Sequence, residues 1–140
     1  MDRLSEIRER FTGSPFHTAF IGARLGRVAA DEVDVSLDVE PRHLNLSGSL
    51  HGGMIATLAD TATGLAYRTG LDEGASALTS SLSVTFLRPG GIGPVTAKGR
   101  VVKRGSRFGY AEADVLDADG TLLARATTTF TVLAAPRADQ

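Results

Sequence analysis

Asp60 is the one charged residue between His51 and Arg68 in this 140-residue chain. The run around it reads as a helix over residues 54–69, ending at Gly70. Aspartate is a poor residue for a helix interior, and no basic side chain stands three or four positions away to pair with it. On a wheel of about 100° per residue, Ile55, Leu58, Ala62 and Leu65 form the core stripe. The other side holds Gly53, Ala56, Thr57, Asp60, Thr63, Gly64 and Tyr67. A water-facing helix side normally carries long polar residues. This one carries small ones, so it is expected to be covered by a partner subunit, a ligand or both. A carboxylate on a covered face must be hydrogen-bonded or functional.

His51-Gly52-Gly53 opens the same helix. Unpaired N–H groups and the positive dipole end point out of a helix start. Glycines there let a substrate oxygen reach the backbone, which is the requirement for an oxyanion hole. Gly53 and Asp60 are seven residues apart, close to two turns, and so share a face. A polarised carbonyl beside a carboxylate is equipment for attack on an acyl group, with Asp60 as nucleophile or as general base on water. His51 reads either as a group that orients a carbonyl or gives a proton, or as a hydrogen-bonded structural histidine.

Other chemistries fail on inspection. The chain has no cysteine, which removes disulfides, thiolate metal sites and a cysteine nucleophile. His17 and His43 lack metal-ligand spacing and read as structural or surface residues; no metal site and no cofactor are expected. Gly90-Gly91-Ile92-Gly93 is a turn between strands, unlike the strand-to-helix dinucleotide fingerprint. No Gly-x-Ser-x-Gly elbow is present. With 15 Lys and Arg against 16 Asp and Glu the net charge is −1, which excludes nucleic-acid binding driven by phosphate contacts. The charged N-terminus has no apolar run, and no stretch approaches the ~20 apolar residues of a spanning helix. A cytoplasmic protein without a membrane segment is therefore expected.

The elements that must carry these residues are legible from periodicity. Leu4, Ile7 and Phe11 mark an amphipathic helix over residues 2–12, stopped by Gly13-Ser14-Pro15. Residues 23–30 pair through a turn near Asp31 with a strand in which Val33, Val35, Leu37 and Val39 alternate with polar residues. Residues 45–53 are loop. After the central helix, Leu78, Ser80, Leu82, Val84 and Phe86 share one strand face. Strands over 95–103, 107–117 and 121–132 follow, the last two joined by an Asp117-Ala118-Asp119-Gly120 hairpin turn. The expectation is a single α+β domain over 1–140, with a meander of four antiparallel strands after the helix and two strands before it. Its core covers about 22–132, and the tail frays from about 134.

The stretch from Asn45 through His51-Gly52-Gly53, followed by Leu58-Ala59-Asp60-Thr61-Ala62, resembles the signature of hotdog-fold acyl-CoA thioesterases of the phenylacetic-acid-degradation type. The likeness continues through Leu82 to Pro89 and Val101 to Gly105, with Ser81 standing where relatives often have aspartate. It implies a long central helix wrapped by a curved antiparallel sheet of five to six strands. It implies a homodimer as the minimal unit, often paired again as a homotetramer, with the site at the dimer interface. The resemblance makes Asp60 the catalytic carboxylate and Gly52 or Gly53 the oxyanion donor. His51 and Asn45 become the residues orienting the loop and the carbonyl, and Thr79 a hydroxyl near the attacking water. The donor side comes from one subunit and the carboxylate from the other. Arg88, Lys103, Arg104 and Arg107, basic residues at the sheet rim, are the candidate grips for coenzyme A phosphates. The implied reaction is hydrolysis of an aryl or medium-chain acyl-CoA to the free acid and CoA. A hotdog dehydratase or hydratase, and a non-catalytic acyl-CoA-binding domain, remain as alternatives.

Overall fold

The computed structural model describes residues 1–136. The expected fraying at the C-terminus lies, for residues 137–140, outside the described residues. Helix α1 (Arg3–Thr12) starts where the Asp2 carboxylate accepts the Ser5 N–H at 2.7 Å and ends at Gly13. It buries Ile7 and Phe11, and its Arg3 reaches the Leu71 carbonyl at 2.9 Å, tying it to the loop beyond the central helix. A six-residue π-helical turn (Phe16–Ile21) follows, which no periodicity in the sequence announces.

Six strands form one antiparallel sheet: β1 (Ala23–Ala29), β2 (Glu32–Val39), β3 (Ser76–Phe86), β4 (Gly93–Arg104), β5 (Phe108–Asp117) and β6 (Leu122–Leu133). Their spatial order is β1-β2-β4-β5-β6-β3. The β1–β2 turn bends at Asp31, in the left-handed region at φ 65°. In β2 Val33, Val35, Leu37 and Val39 are all buried, as their alternation requires.

Two expectations about β3 are corrected. It pairs with β6, so the meander has three strands and β3 lies at the far edge. The connection through Pro89-Gly90-Gly91 is no tight hairpin. Leu87 and Arg88 donate to the Leu123 carbonyl, and Gly90 accepts from Leu50, so the chain crosses the sheet end and leaves the place beside β5 to β4. The face assignment changes as well. Thr79 pairs with Phe130 and Ser81 with Thr129, so Ser80 is an extra, bulged residue. The bulge reverses the phase: Leu78 turns outward, 58% exposed, while Leu82 and Val84 pack on the core. Thr79 takes the inward position.

Helix α2 (Gly52–Arg68) begins two residues earlier than its apolar pattern indicates, because the glycines form its first turn. It packs against β2, β3, β4, β5 and β6. At Gly99 on β4 a Cβ would stand 2.5 Å from the Ala62 carbonyl, so glycine sets how closely helix and sheet approach. Ile55, Leu58, Ala59, Ala62 and Ala66 are buried, whereas Leu65 is half-buried. Thr63 and Tyr67, assigned from the wheel to the face awaiting a partner or ligand, are buried against this chain's own sheet. Thr63 meets the Thr128 hydroxyl at 2.9 Å, and the Tyr67 ring stacks on Phe130 at 4.8 Å. The part of that face left for another molecule is Gly53, Ala56, Thr57, Asp60 and Gly64, all at least partly exposed. No helix among the described residues is long and apolar enough to cross a membrane.

Candidate active site

The loop ahead of α2 is built around Asn45. Its side-chain oxygen accepts the N–H groups of Ser47 (2.9 Å) and Ser49 (3.0 Å), and its own N–H donates to the Ser49 carbonyl at 2.7 Å. This is the Asx-turn habit of asparagine. Leu50 then donates to Gly90 at 2.8 Å and His51 to the His43 carbonyl at 2.9 Å, so the helix start is anchored on both sides. The Asn45 oxygen thus serves the loop itself.

His51 is the N-cap of α2. Its Nδ1 accepts the Gly53 N–H at 2.8 Å, and its carbonyl accepts from Met54 and Ile55 at 2.9 and 3.2 Å. A neutral ring accepting at Nδ1 carries its proton on Nε2. One of the two expected oxyanion donors is therefore already used. The Gly52 N–H has no partner among the described residues. A Cβ at Gly52 would lie 3.3 Å from the Phe86 ring, which closes in on this stretch of backbone. A cavity of about 420 Å³ opens there, lined by Asn45, Ser49, Gly52, Phe86 and Arg88 among others.

Asp60 is half-buried and faces β3. The Thr79 hydroxyl donates to its Oδ1 at 2.7 Å. The Ser80 bulge creates this contact, since without it Leu78 would hold the inward place. Asp60 Oδ2 has no partner among the described residues, so one oxygen is fixed and the other left for a proton or an electrophile. Gly52 and Asp60 are eight residues apart on a straight helix, about 12 Å along its axis at 1.5 Å per residue. A reacting carbonyl must lie about 3 Å from both its oxyanion donor and its nucleophile. Within one chain the Gly52 N–H and the Asp60 carboxylate are too far apart to meet the same carbonyl.

The basic residues separate into two groups. Arg88 lines the cavity beside Gly52, with Nη1 donating to the Leu122 carbonyl at 3.1 Å. Lys103 and Arg107 are exposed at the β4–β5 end of the sheet. Arg104, one of the four candidate grips, bonds within the chain. It caps the C-terminal end of α2 through the carbonyls of Tyr67 (2.7 Å) and Ala66 (3.2 Å) and pairs with Asp31 at 2.7 Å. It also stands 4.6 Å over the Tyr67 ring. His43 is a buried structural histidine: Nδ1 accepts from Glu40 at 2.9 Å and Nε2 donates to Ile21 at 2.8 Å. His17 meets the Ser14 hydroxyl at 2.8 Å, and burial pushes its ring below the usual histidine range. Phe86 is the site residue the sequence reading placed only as a strand-face position, because its neighbour Gly52 lies 34 positions away and belongs to another element.

Residues 47–124 match the family model of the thioesterase superfamily. The chain belongs to that superfamily. Among its relatives is human acyl-coenzyme A thioesterase 13, 29% identical over 99 residues that cover 69% of this chain and 70% of that protein. The solved structure of a thioesterase family protein from Silicibacter pomeroyi superposes with a TM-score of 0.85 at 28% identity, covering 92% of this chain and 96% of that one. A mutant of the phenylacetic acid degradation protein PaaI from Thermus thermophilus superposes with a TM-score of 0.76 at 32% identity, covering 84% and 98%. The helix wrapped by an antiparallel sheet is thus the hotdog fold. The span matched to the thioesterase superfamily contains His51, Gly52, Asp60, Thr79 and Arg88; Asn45 and the π-helical turn precede it.

Proposed function

We propose that the protein hydrolyses acyl-CoA thioesters, of aryl or medium-chain acyl groups, in a homodimer whose sites are each assembled from two chains, with pairing into a tetramer beyond that. One observation carries this reading: the free Gly52 N–H and the half-open Asp60 carboxylate lie about 12 Å apart along one helix, and Asp60 faces the outermost strand of the sheet. Antiparallel pairing of β3 with the β3 of a second copy would turn that spacing into proximity, setting each Gly52 against the other chain's Asp60. The name of the human relative supports the substrate class.

In this scheme the thioester carbonyl oxygen accepts the Gly52 N–H at the positive end of α2. His51 holds the first helical turn in shape. Asp60, with one oxygen held by Thr79, either takes a proton from the attacking water or attacks the carbonyl carbon itself. The C–S bond breaks, and the sulfur leaves as the thiolate of CoA and is protonated. Direct attack leaves an anhydride that water then opens, so both routes consume one water and release acid and CoA.

Release of free thiol from a panel of CoA thioesters tests the activity. Asp60→Asn should lower turnover at least ~10²-fold, and Gly52→Pro, which deletes the N–H at a position where helices accept proline, about 10²–10³-fold. Mixing the two inactive variants should restore part of the activity, because a mixed dimer contains one intact site. Recovery absent from a mixture shown to exchange chains would place both groups in the same subunit and overturn the two-chain site.

A further inference from the structure

A second cavity flanks the start of α2, on the side away from Phe86. It measures about 620 Å³, within the ~300–1,000 Å³ of small-molecule sites. His51, Gly53 and Thr57 edge it, and its apolar wall is Phe20, Leu44 and Met54. The wall bearing Phe20 is the π-helical turn. Two other residues lining the cavity hold it: Arg42 donates to the carbonyls of Phe20 (2.8 Å) and Ile21 (3.2 Å), and buried His43 donates to Ile21. Phe20 is nevertheless 73% exposed and stacks on Phe16, itself 50% exposed, at 6.1 Å. Neither ring belongs to the hydrophobic core. A rigid wall presenting aromatic surface that the fold does not use points to a ligand.

The two cavities meet across residues 51–53: Gly52 lines one, and its neighbours His51 and Gly53 line the other. The free Gly52 N–H stands at the divide. The Phe20 side is the larger and more apolar, although Arg42 and His43 also line it; the other mixes Phe86 and Leu87 with Asn45, Ser49 and Arg88. A CoA thioester has the same asymmetry, an apolar acyl group and a polyanionic carrier joined at the carbonyl. Building on the hydrolase reading above, we infer that the acyl group lies in the Phe20 cavity while the carrier leaves past Arg88. Phe20 and Thr57 are then specificity-determining residues that set which acyl groups fit.

The experiment is kcat/KM on acetyl-, hexanoyl-, octanoyl-, lauroyl- and phenylacetyl-CoA for the unsubstituted protein, Phe20→Ala and Thr57→Leu. Thr57→Leu, which fills the cavity, should lower the octanoyl-to-acetyl ratio about tenfold or more. Phe20→Ala should shift the optimum to larger groups. Arg88→Ala should weaken every substrate by a similar factor. Ratios unchanged within about twofold in both cavity variants, with native circular dichroism, would overturn the assignment. Calorimetric binding of the thioether analogues S-octyl-CoA and S-ethyl-CoA reads the cavity without turnover. If no thioester is hydrolysed, the hydrolase reading fails; octyl-selective binding abolished by Thr57→Leu would still support the cavity. Equal affinity for the two analogues would overturn it.

Discussion

The two edges of the sheet are built in opposite ways. At one edge, β1 has 7 residues and a break in register between Leu25 and Val28. Arg24 pairs with Asp38, Arg27 pairs with Glu32, and Arg8 of α1 covers the Gly26 carbonyl at 3.2 Å. Short length, a bulge, charges and a covering helix are how sheets prevent edge-to-edge association. At the other edge, β3 runs for 11 residues without a charge, a proline or a glycine. Its one irregularity, at Ser80, turns Thr79 toward Asp60 while the edge itself stays long. An edge so unprotected is suited to receive another strand, and the candidate carboxylate lies directly behind it. The contrast separates an edge whose charges, bulge and covering helix block pairing from an edge left open beside the candidate carboxylate.

The largest effect should come from protecting the open edge. Ser81→Lys combined with Ser83→Lys puts like charges on exposed outward positions of β3. Light scattering should show monomers, and turnover should fall at least ~10²-fold, as for the loss of an oxyanion donor. The matching charge change at β1, Arg24→Glu with Arg27→Glu at exposed positions, should leave the mass unchanged; dissociation there instead would reverse the contrast.

Next in size is Thr79→Val. It removes the hydrogen bond that fixes Asp60 while keeping the shape of the side chain. Loss of a hydrogen bond to a charged group, about 1.5–3 kcal/mol, predicts a roughly 10- to 100-fold fall in kcat/KM. Thr79→Ser, which keeps the hydroxyl donor to Asp60, should restore most of the loss. Turnover of Thr79→Val within about twofold of the unsubstituted protein would give Thr79 a structural role only.

On the protected side, Arg104→Ala should cost about 1–2 kcal/mol of stability through the lost C-cap and Asp31 pair, while KM stays within about twofold. A large rise in KM would return Arg104 to the phosphate-gripping set.

The smallest effect concerns Asp114, on the sheet face away from α2. The Arg125 guanidinium, with Arg100 beside it, holds its carboxyl below the usual carboxylate range. A carboxyl depressed in the folded state stabilises it above the unfolded value of about 3.9 and loses that contribution as pH falls through the folded value. Asp114→Asn should therefore lower the melting temperature slightly at pH 7 and leave it unchanged near pH 2. Equal loss at both pH values would show a packing effect instead.

Alternation in β2, the extent of β5 and β6, the hairpin at Asp117 to Gly120, and the amphipathic helices were all readable, because each depends on residues within a few positions of one another. Asp60 stood out for the same reason: a lone carboxylate in a helix of small and apolar residues is a local anomaly. The pairing of β3 with β6 was not readable, since antiparallel order depends on which distant edge is free. Nor was the Ser80 bulge, because one extra residue in Leu-Thr-Ser-Ser-Leu leaves no mark in a pattern of small polar side chains. The same limit applied to Gly53, whose N–H looked free until the His51 ring was found to hold it, and to Arg104, whose partners lie in Asp31 and the end of α2.

By itself, the sequence determined the elements, the α+β class, the lone carboxylate and the glycine start of its helix, all consequences of short-range sterics and periodicity. Tertiary structure alone decided which donor remained free, which hydroxyl reached Asp60 and which edge stayed open. Those outcomes depend on hydrogen bonds and packing between segments tens of residues apart, whose closure only the folded chain can set.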